Sequence, residues 1–390
     1  MRVLVDATAI PTDRGGVGRY VDELLRALAD RDVELVVVCQ VRDVDLMEAA
    51  LPGARVVAAP RAIERRAVRL AWEQTGLPLL ARKLRVDVVH SPHYTSPLLS
   101  PGARVVTLHD ATFFSDRDVH SAVKTSFFRG ATWLAVRHAD ALVVPSRATR
   151  DEVVRHAGGR AEQFFVAHHG VDPEVFHPVA ASEQERVART LGLEGRPYVA
   201  FLGTLEPRKN VPALIEAWVE VASGLVDPPA LVLAGGPGWD DGVQPAIDAV
   251  PQGLQVVRPG YLPLADLAGF LGGAEVVAYP SLGEGFGLPV LEAMACGAAV
   301  LTSRRLSLPE VGGDAVEYTE TDAGSIAAAL AQLLANKDRR HELAGAAVER
   351  AARFTWAAAA DAHLTAYEAA IQRAGGHPGG QGGGQQPRSV

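Results

Sequence analysis

The chain has 390 residues, too many for one ordinary hydrophobic core, so two domains of roughly 150 to 200 residues each are expected. With 48% hydrophobic and 22% charged residues it reads as globular, while a net charge of −8 and 6% aromatics argue against a nucleic-acid partner. Cys39 and Cys296 stand far apart with no CxxC spacing, which leaves neither a disulfide framework nor a zinc knuckle and fits a reduced, cytoplasmic compartment.

The opening stretch MRVLVDATAI breaks its apolar run at Asp6 and carries no small-residue cleavage pattern, so no signal peptide is expected. Short runs of Val, Leu and Ile then alternate with helical patterns, the βαβ signature of a parallel sheet covered on both faces. In the first half the strands read RVLVDA, VELVVVCQ, DVVHS, RVVTLHD, ALVVPS and QFFVAHHG. After a junction near HPVAASEQER a second series runs PYVAFLGT, ALVLAGGPG, LQVVRPG, EVVAYPS and AAVLTS. Two Rossmann-like, doubly wound α/β units in tandem follow, residues 1–180 and 190–352. A last helical pattern covers 353–374, with a return onto the first domain as one placement among several. The glycine-rich end 375–390 cannot bury a core and is expected to be disordered. No uncharged apolar stretch approaches the eighteen or so residues of a membrane span.

Residues able to do chemistry gather at the carboxyl ends of these strands, the edge where open α/β sheets bind ligands. After the first strand comes PTDRGGVGRYVDELLRAL. Gly15, Gly16 and Gly18 let a backbone approach a ligand, and a helix beginning near Arg19 aims free N–H groups and a positive dipole end at an anion. A dinucleotide fingerprint would need glycine at 21, where the chain has Val21, and short glycine motifs also serve plain tight packing. The segment RAIERRAVRLAWEQTGLPLLARKLR, residues 61–85, carries seven basic residues against two acidic ones. Its amphipathic pattern fits peripheral contact with an anionic membrane at the inner face, or an ordinary basic helix of the first domain. Farther on, His109 and Asp110 end the strand of TLHDATFF, and Ser146 in VVPSRATRDEVV is placed to cap a helix beside a surface Arg147.

In the second half, FLGTLEPRKN sets Arg208 beside Lys209. The pair suits a diphosphate, Arg through paired hydrogen bonds and Lys as a compact charge, though adjacent cations also make ordinary solvated faces. WDDG falls in a loop and no D-x-D motif ends a strand, so no metal site is expected. The densest stretch is SLGEGFGLPVLEAMACGAAV. Pro289 suits the first turn of a helix, which leaves Glu284 on the loop before it and Glu292 in the first helical turn or just beyond. Amides of Phe286, Gly287 and Leu288 at the helix start would cradle an anion. A carboxylate for hydroxyls, amides for phosphate and a second carboxylate about 10 Å on repeat the order of sugar, diphosphate and ribose in a nucleotide sugar. One glutamate alone could merely complement the helix dipole.

In order along residues 1 to 370, GGVGRYVDELL, LHD, VPSRATRDEV, HGVDPEVFHP, GTLEPRKN, EGFGLPVLE and LPEVGGDAVEY resemble the landmarks of glycosyltransferase family four, the retaining transferases of GT-B fold. EGFGLPVLE is similar to the family's E-x7-E signature. The resemblance implies two Rossmann-like domains facing an interdomain cleft, the first on the acceptor side and the second binding the donor. It implies a hexose moved with retention from a nucleotide sugar to a hydroxyl of a glycan or glycolipid, by front-face attack, without metal and with no cofactor beyond the nucleotide-sugar cosubstrate.

By the same resemblance Gly15 and Gly16 approach the donor diphosphate, and His109 lies by the 6-hydroxyl of the donor sugar. Arg208 and Lys209 neutralise the leaving group. Glu284 holds sugar hydroxyls, with the amides of Phe286, Gly287 and Leu288 nearby, and Glu292 binds the ribose. Thr204, also on the donor side, stands where many members carry Arg in a G-R-L pattern, so phosphate binding rests more on Arg208 and Lys209. GTLEPRKN together with HYTSPLL is most similar to mannosyltransferases that use GDP-mannose. A UDP-glucose donor, a nucleotide-sugar 2-epimerase of the same architecture and a non-catalytic sensor are the alternatives.

Overall fold

The computed structural model describes residues 1–12, 14–115, 122–193 and 195–375. All strand pairs are parallel, and long apolar runs such as those around Val3, Val37, Val143 and Leu231 are buried on both faces. The first sheet contains β1 (Arg2–Asp6), β2 (Glu34–Cys39), β3 (Arg55–Ala58), β4 (Val88–Ser91), β5 (Ala103–Thr107), β6 (Ala141–Val144) and β7 (Phe164–Val166), in the order β3-β2-β1-β4-β5-β6-β7. The second contains β8 (Tyr198–Leu202), β9 (Ala230–Ala234), β10 (Val256–Gly260), β11 (Val276–Tyr279), β12 (Val300–Ser303) and β13 (Glu317–Thr319), ordered β10-β9-β8-β11-β12-β13. Each sheet thus has one strand more than its sequence series. The extra strands, β3 and β13, are short edge strands, RVVA and EYT, too exposed to need an uninterrupted apolar run. Strand order reverses between β1 and β4 and again between β8 and β11, which opens a crevice at each of those strand ends.

The chain crosses between domains twice, at adjacent points. Val171 N donates to the carbonyl of Phe354 at 3.1 Å, and a Cβ on Gly170 would collide with the backbone of Trp356, so glycine is required at this crossing. Val171, Val175 and Phe176 already pack against the second core, which moves the end of the first domain back from residue 180. The last helix is Trp356–Gly375 rather than 353–374, because Thr355 caps it with Oγ1 accepting from Ala358 N at 3.1 Å. It returns to the first domain, where Ala360, Ala366, Tyr367 and Ala370 share a core with Val3, Val5, Val105 and Val143. The remainder of the glycine-rich end expected to be disordered, 376–390, lies outside the described residues.

A buried chain of hydrogen bonds fixes that return. His363 Nδ1 must donate to the Ala359 carbonyl at 2.7 Å, since a carbonyl only accepts, so its Nε2 accepts from Tyr20 OH at 2.9 Å. Tyr20 in turn accepts from Thr107 Oγ1, Thr107 from His90 Nε2 and His90 Nδ1 from Tyr367 OH, each at 2.9 Å. Every polar atom in the chain is paired while both histidines stay neutral.

Residues 61–85 form a short 3-10 turn, Arg61–Glu64, and the helix Arg66–Leu84. Leu77, Ala81 and Leu84 face inward, while Arg61, Arg65, Arg66, Arg82, Lys83 and Arg85 are exposed. No helix among the described residues is long and apolar enough to cross a membrane.

Candidate active site

The crevice between β8 and β11 is ionic. From the β8 side a turn, Pro207–Lys209, presents Arg208 and Lys209; from the β11 side come Tyr279, Ser281 and the loop residue Glu284. Glu284 is 6% exposed, and its Oε1 receives Lys209 Nζ and Ser281 Oγ, both at 2.7 Å, and Tyr279 OH at 3.1 Å. Its Oε2 pairs with Arg208, whose other amino group reaches Glu206 at 2.6 Å. Burial alone would push the Glu284 carboxyl up, but Arg208 and Lys209 outweigh it and hold the group at about 2. Burial, together with the neighbouring Arg208, pushes Lys209 below its ordinary value, so this ammonium depends on Glu284 and Glu206 to keep its proton. The two cations expected to serve a diphosphate are thus brought together, and Glu284 and Glu206 neutralise them. Thr204 is half-buried just beyond β8, where its carbonyl accepts from Glu206 N at 2.8 Å.

Next along the chain lies the helix Leu288–Ala295. Gly287 precedes it at φ +101°, a left-handed conformation that favours glycine, and Pro289 stands in its first turn. No side chain caps this start among the described residues, so its amides keep donors to offer an anion. The Phe286 side chain is buried against His169, ring centroids 4.9 Å apart, which leaves its backbone at the helix entrance. Glu292 lies one turn into the helix at 2% exposure. Its Oε1 pairs with Arg19 Nη2 at 2.5 Å, while Oε2 is buried without a hydrogen-bond partner. Burial raises its carboxyl and Arg19 lowers it, with burial the larger influence.

Arg19 belongs to the first domain. Its helix, Gly16–Ala29, starts three residues ahead of the expected position, with Gly15 as an uncapped N-cap. A Cβ on Gly15 or Gly16 would meet nothing within 4 Å, so this turn borders open space, and Arg19 carries it to Glu292. His109 follows β5. Its Nε2 lies 2.7 Å from the Pro92 carbonyl and must donate to it, which leaves Nδ1 as an acceptor. Burial lowers this imidazole, and Tyr20 packs edge-on against it at 4.9 Å. The loop of the second domain meets His109 directly, since a Cβ on Gly285 would overlap the His109 carbonyl.

Comparison with known proteins accords with this arrangement. The model for Glycosyltransferase Family 4 matches residues 14–175, and that for Glycosyl transferases group 1 matches 183–350. The alpha-maltose-1-phosphate synthase of Mycolicibacterium smegmatis is 30% identical over 94% of this chain and 99% of its own length. The chain is a family-four glycosyltransferase. The O-antigen chain mannosyltransferase B of Escherichia coli is 28% identical over 72% of this transferase and 74% of its own chain. Anabaena HepE, solved with UDP and glucose, shares the GT-B fold at a TM-score of 0.76 and 19% identity, covering 94% of this transferase and 99% of that chain.

Sequence reading of the transferase missed several contributors. Tyr279 ends β11 and Ser281 lies two residues beyond it, and the strand-end rule that selected His109 would have found them. Glu206 lay inside the quoted GTLEPRKN. Arg19 was visible only as the helix start, because an interdomain ion pair has no signature in local sequence.

Proposed function

We propose that the transferase moves mannose from GDP-mannose to a hydroxyl of a glycan or glycolipid, with retention of configuration and without metal. The observation that carries this reading is the uncapped start of helix Leu288–Ala295, set between Glu284 with its cationic pair and Glu292 with one unpaired buried oxygen. Amides and cations there suit a diphosphate, Glu284 suits sugar hydroxyls, and the open oxygen of Glu292 suits a ribose diol. The donor assignment draws on the resemblance of GTLEPRKN and HYTSPLL to mannosyltransferases and on the likeness to the E. coli mannosyltransferase.

In the reaction the bond from the anomeric carbon to the diphosphate oxygen breaks and a bond to the acceptor oxygen forms on the same face. The acceptor proton passes to a donor phosphate oxygen. Arg208, Lys209 and the amides of Gly287 and Leu288 stabilise charge on the leaving diphosphate. Glu284 is a poor nucleophile or base, since its charge is tied up by Arg208, Lys209 and Ser281, which supports front-face attack.

A thermal-shift screen of GDP, UDP and their sugars tests the donor, because a ligand of the folded state raises the apparent Tm. Guanine compounds should raise it, and a response to uridine compounds alone would overturn GDP-mannose while leaving a glycosyltransferase. Anomeric coupling in the product reads retention, and undiminished turnover in EDTA reads metal independence.

For the acceptor, the basic side chains Arg61, Arg65, Arg66, Arg82, Lys83 and Arg85 are exposed, and so are Val123, Trp133 and Leu134 on the helix Ala122–His138. Arg66 joins the two by lying 5.1 Å over the Phe127 ring. This surface fits an anionic bilayer presenting a glycolipid. Salt-sensitive co-sedimentation with anionic but not neutral liposomes is expected, and no binding to either removes the membrane reading.

A further inference from the structure

The first domain holds the loop of Glu284 through one helix start. Helix Arg147–Ala157 begins at Ser146, whose Oγ accepts from Thr149 N at 3.0 Å. That hydroxyl then donates to the carbonyl of Gly285 at 2.7 Å, and Thr149 Oγ1 donates to the same carbonyl at 3.0 Å. The first-turn amides go to the second domain as well: Arg147 N and Ala148 N donate to the two carboxylate oxygens of Glu310 at 3.0 and 2.7 Å. His168 Nε2 lies 3.3 Å from the same carboxylate. The donors that a helix start leaves free are therefore satisfied across the domain boundary rather than by water. On the other side of the loop the His109 carbonyl occupies the space a side chain at 285 would need. From below, Ser307 Oγ lies 2.8 Å from the Glu284 carbonyl and 2.9 Å from that of Phe286.

We propose that Ser146 and Thr149, with Glu310 as clasp and Gly285 as the fitted partner, are positioning residues that set Glu284 against the donor sugar when the domains meet. The proposal rests on the reading of Glu284 as the carboxylate that holds sugar hydroxyls. With the domains apart, the Glu284 loop keeps only its bonds within the second domain, and its backbone loses two donors on the residue next to the carboxylate. Arg208 and Lys209, the cations read as diphosphate ligands, belong to the second domain and bond there to Glu284 and Glu206, with no bond to Ser146 or Thr149. Loss of the seat therefore lowers turnover and spares binding of the nucleoside diphosphate.

The test pairs Ser146→Gly with Thr149→Val. Glycine is nearly as good an N-cap as serine, so the helix survives while both donors to Gly285 disappear. Turnover should fall roughly tenfold to a hundredfold, the range expected when a reacting group is misplaced by about 1 Å. KM for the donor and calorimetric Kd for GDP should stay within about twofold of wild type by the same separation of sites. Adding back the hydroxyl alone, as Ser146→Gly with Thr149→Ser, should recover much of the rate. Wild-type turnover in the double variant, a loss confined to KM, or no recovery with serine at 149 would each overturn the seat. If the double variant fails to fold, Thr149→Val alone is read by the same criteria. Glu284→Gln separates the two ideas: an active Glu284→Gln sinks the underlying reading of Glu284, whereas an inactive Glu284→Gln beside a fully active double variant sinks only the seat.

Discussion

The two crevices, one between β1 and β4 and the other between β8 and β11, share a topology and differ in electrostatics. In the second domain the strand ends carry charge, with Glu284 held ionised by Arg208 and Lys209. In the first domain the β5 side of the crevice is lined by imidazoles and phenols that burial keeps neutral, while charge stands at the β1 end, in Asp6 and the nearby Arg69–Glu73 pair. His93 is pushed down to about 3 and His363 to about 4, and His109 is lowered too. The same βαβ winding therefore supplies two solvents. An ionic wall suits a departing diphosphate, and a neutral one avoids opposing positive charge that grows on a sugar losing that group.

Neutralising the ionic wall should do the greatest damage. Lys209→Ala is expected to lower turnover by about 10²–10³-fold, the scale of removing a preorganised charge stabiliser, with a smaller change in KM. Glu284→Gln leaves Arg208 and Lys209 to share Glu206, one buried positive charge in excess, so it should abolish turnover and also cost about 3–5 kcal/mol of stability in chemical denaturation. A variant that lost activity with unchanged stability would break the description of Glu284 as a clamped ion. His109→Gln, on the neutral wall, should cost less, roughly tenfold in turnover, as measured by initial rates with saturating donor.

Acid should separate the walls by domain. Glu284 has a folded value below its ordinary 4.5, so its contribution is present above about 4.5 and is lost as pH falls toward 2. A histidine with a lowered folded value favours the fold when neutral, so its contribution is complete above 6.5 and declines as pH falls through 6.5 toward the folded value. For His363, from 6.5 to about 4, the full difference is worth about 3 kcal/mol. Between pH 7.5 and pH 5, amide protection factors, each corrected for the intrinsic exchange rate at that pH, should therefore fall in the first domain and in helix Trp356–Gly375 before they fall around β8 and β11. Equal loosening of both domains would count against the contrast.

Much of this was legible in sequence because parallel strands bury both faces and must read as apolar runs. Short edge strands such as β3 and β13 escape for the complementary reason. The residues of the ionic crevice follow strand ends or a glycine-rich turn, so Arg208, Lys209, Glu284 and Glu292 could be named from spacing and resemblance. What spacing could not give was pairing. That Lys209 and Arg208 share Glu284, that Glu292 finds Arg19, and that Ser146 and Thr149 grip Gly285 are long-range facts, set by how two domains meet.

The smallest effect is expected where the neutral network anchors the last helix. Tyr367→Phe removes the donor to His90 Nδ1 and keeps the ring in its core, so the loss is one buried acceptor without a partner, about 1–2 kcal/mol. For a domain of this size that lowers Tm by a few degrees, on the order of 2–4 °C per kcal/mol. Turnover should be unchanged at 25 °C, since Tyr367 touches His90 and His363 rather than His109. A fall in turnover larger than the fall in folded fraction would mean that the network reaches His109 through Tyr20, which packs against both His109 and His363. Tyr20→Phe would then reproduce that loss, because it breaks the same chain at the residue that packs on His109.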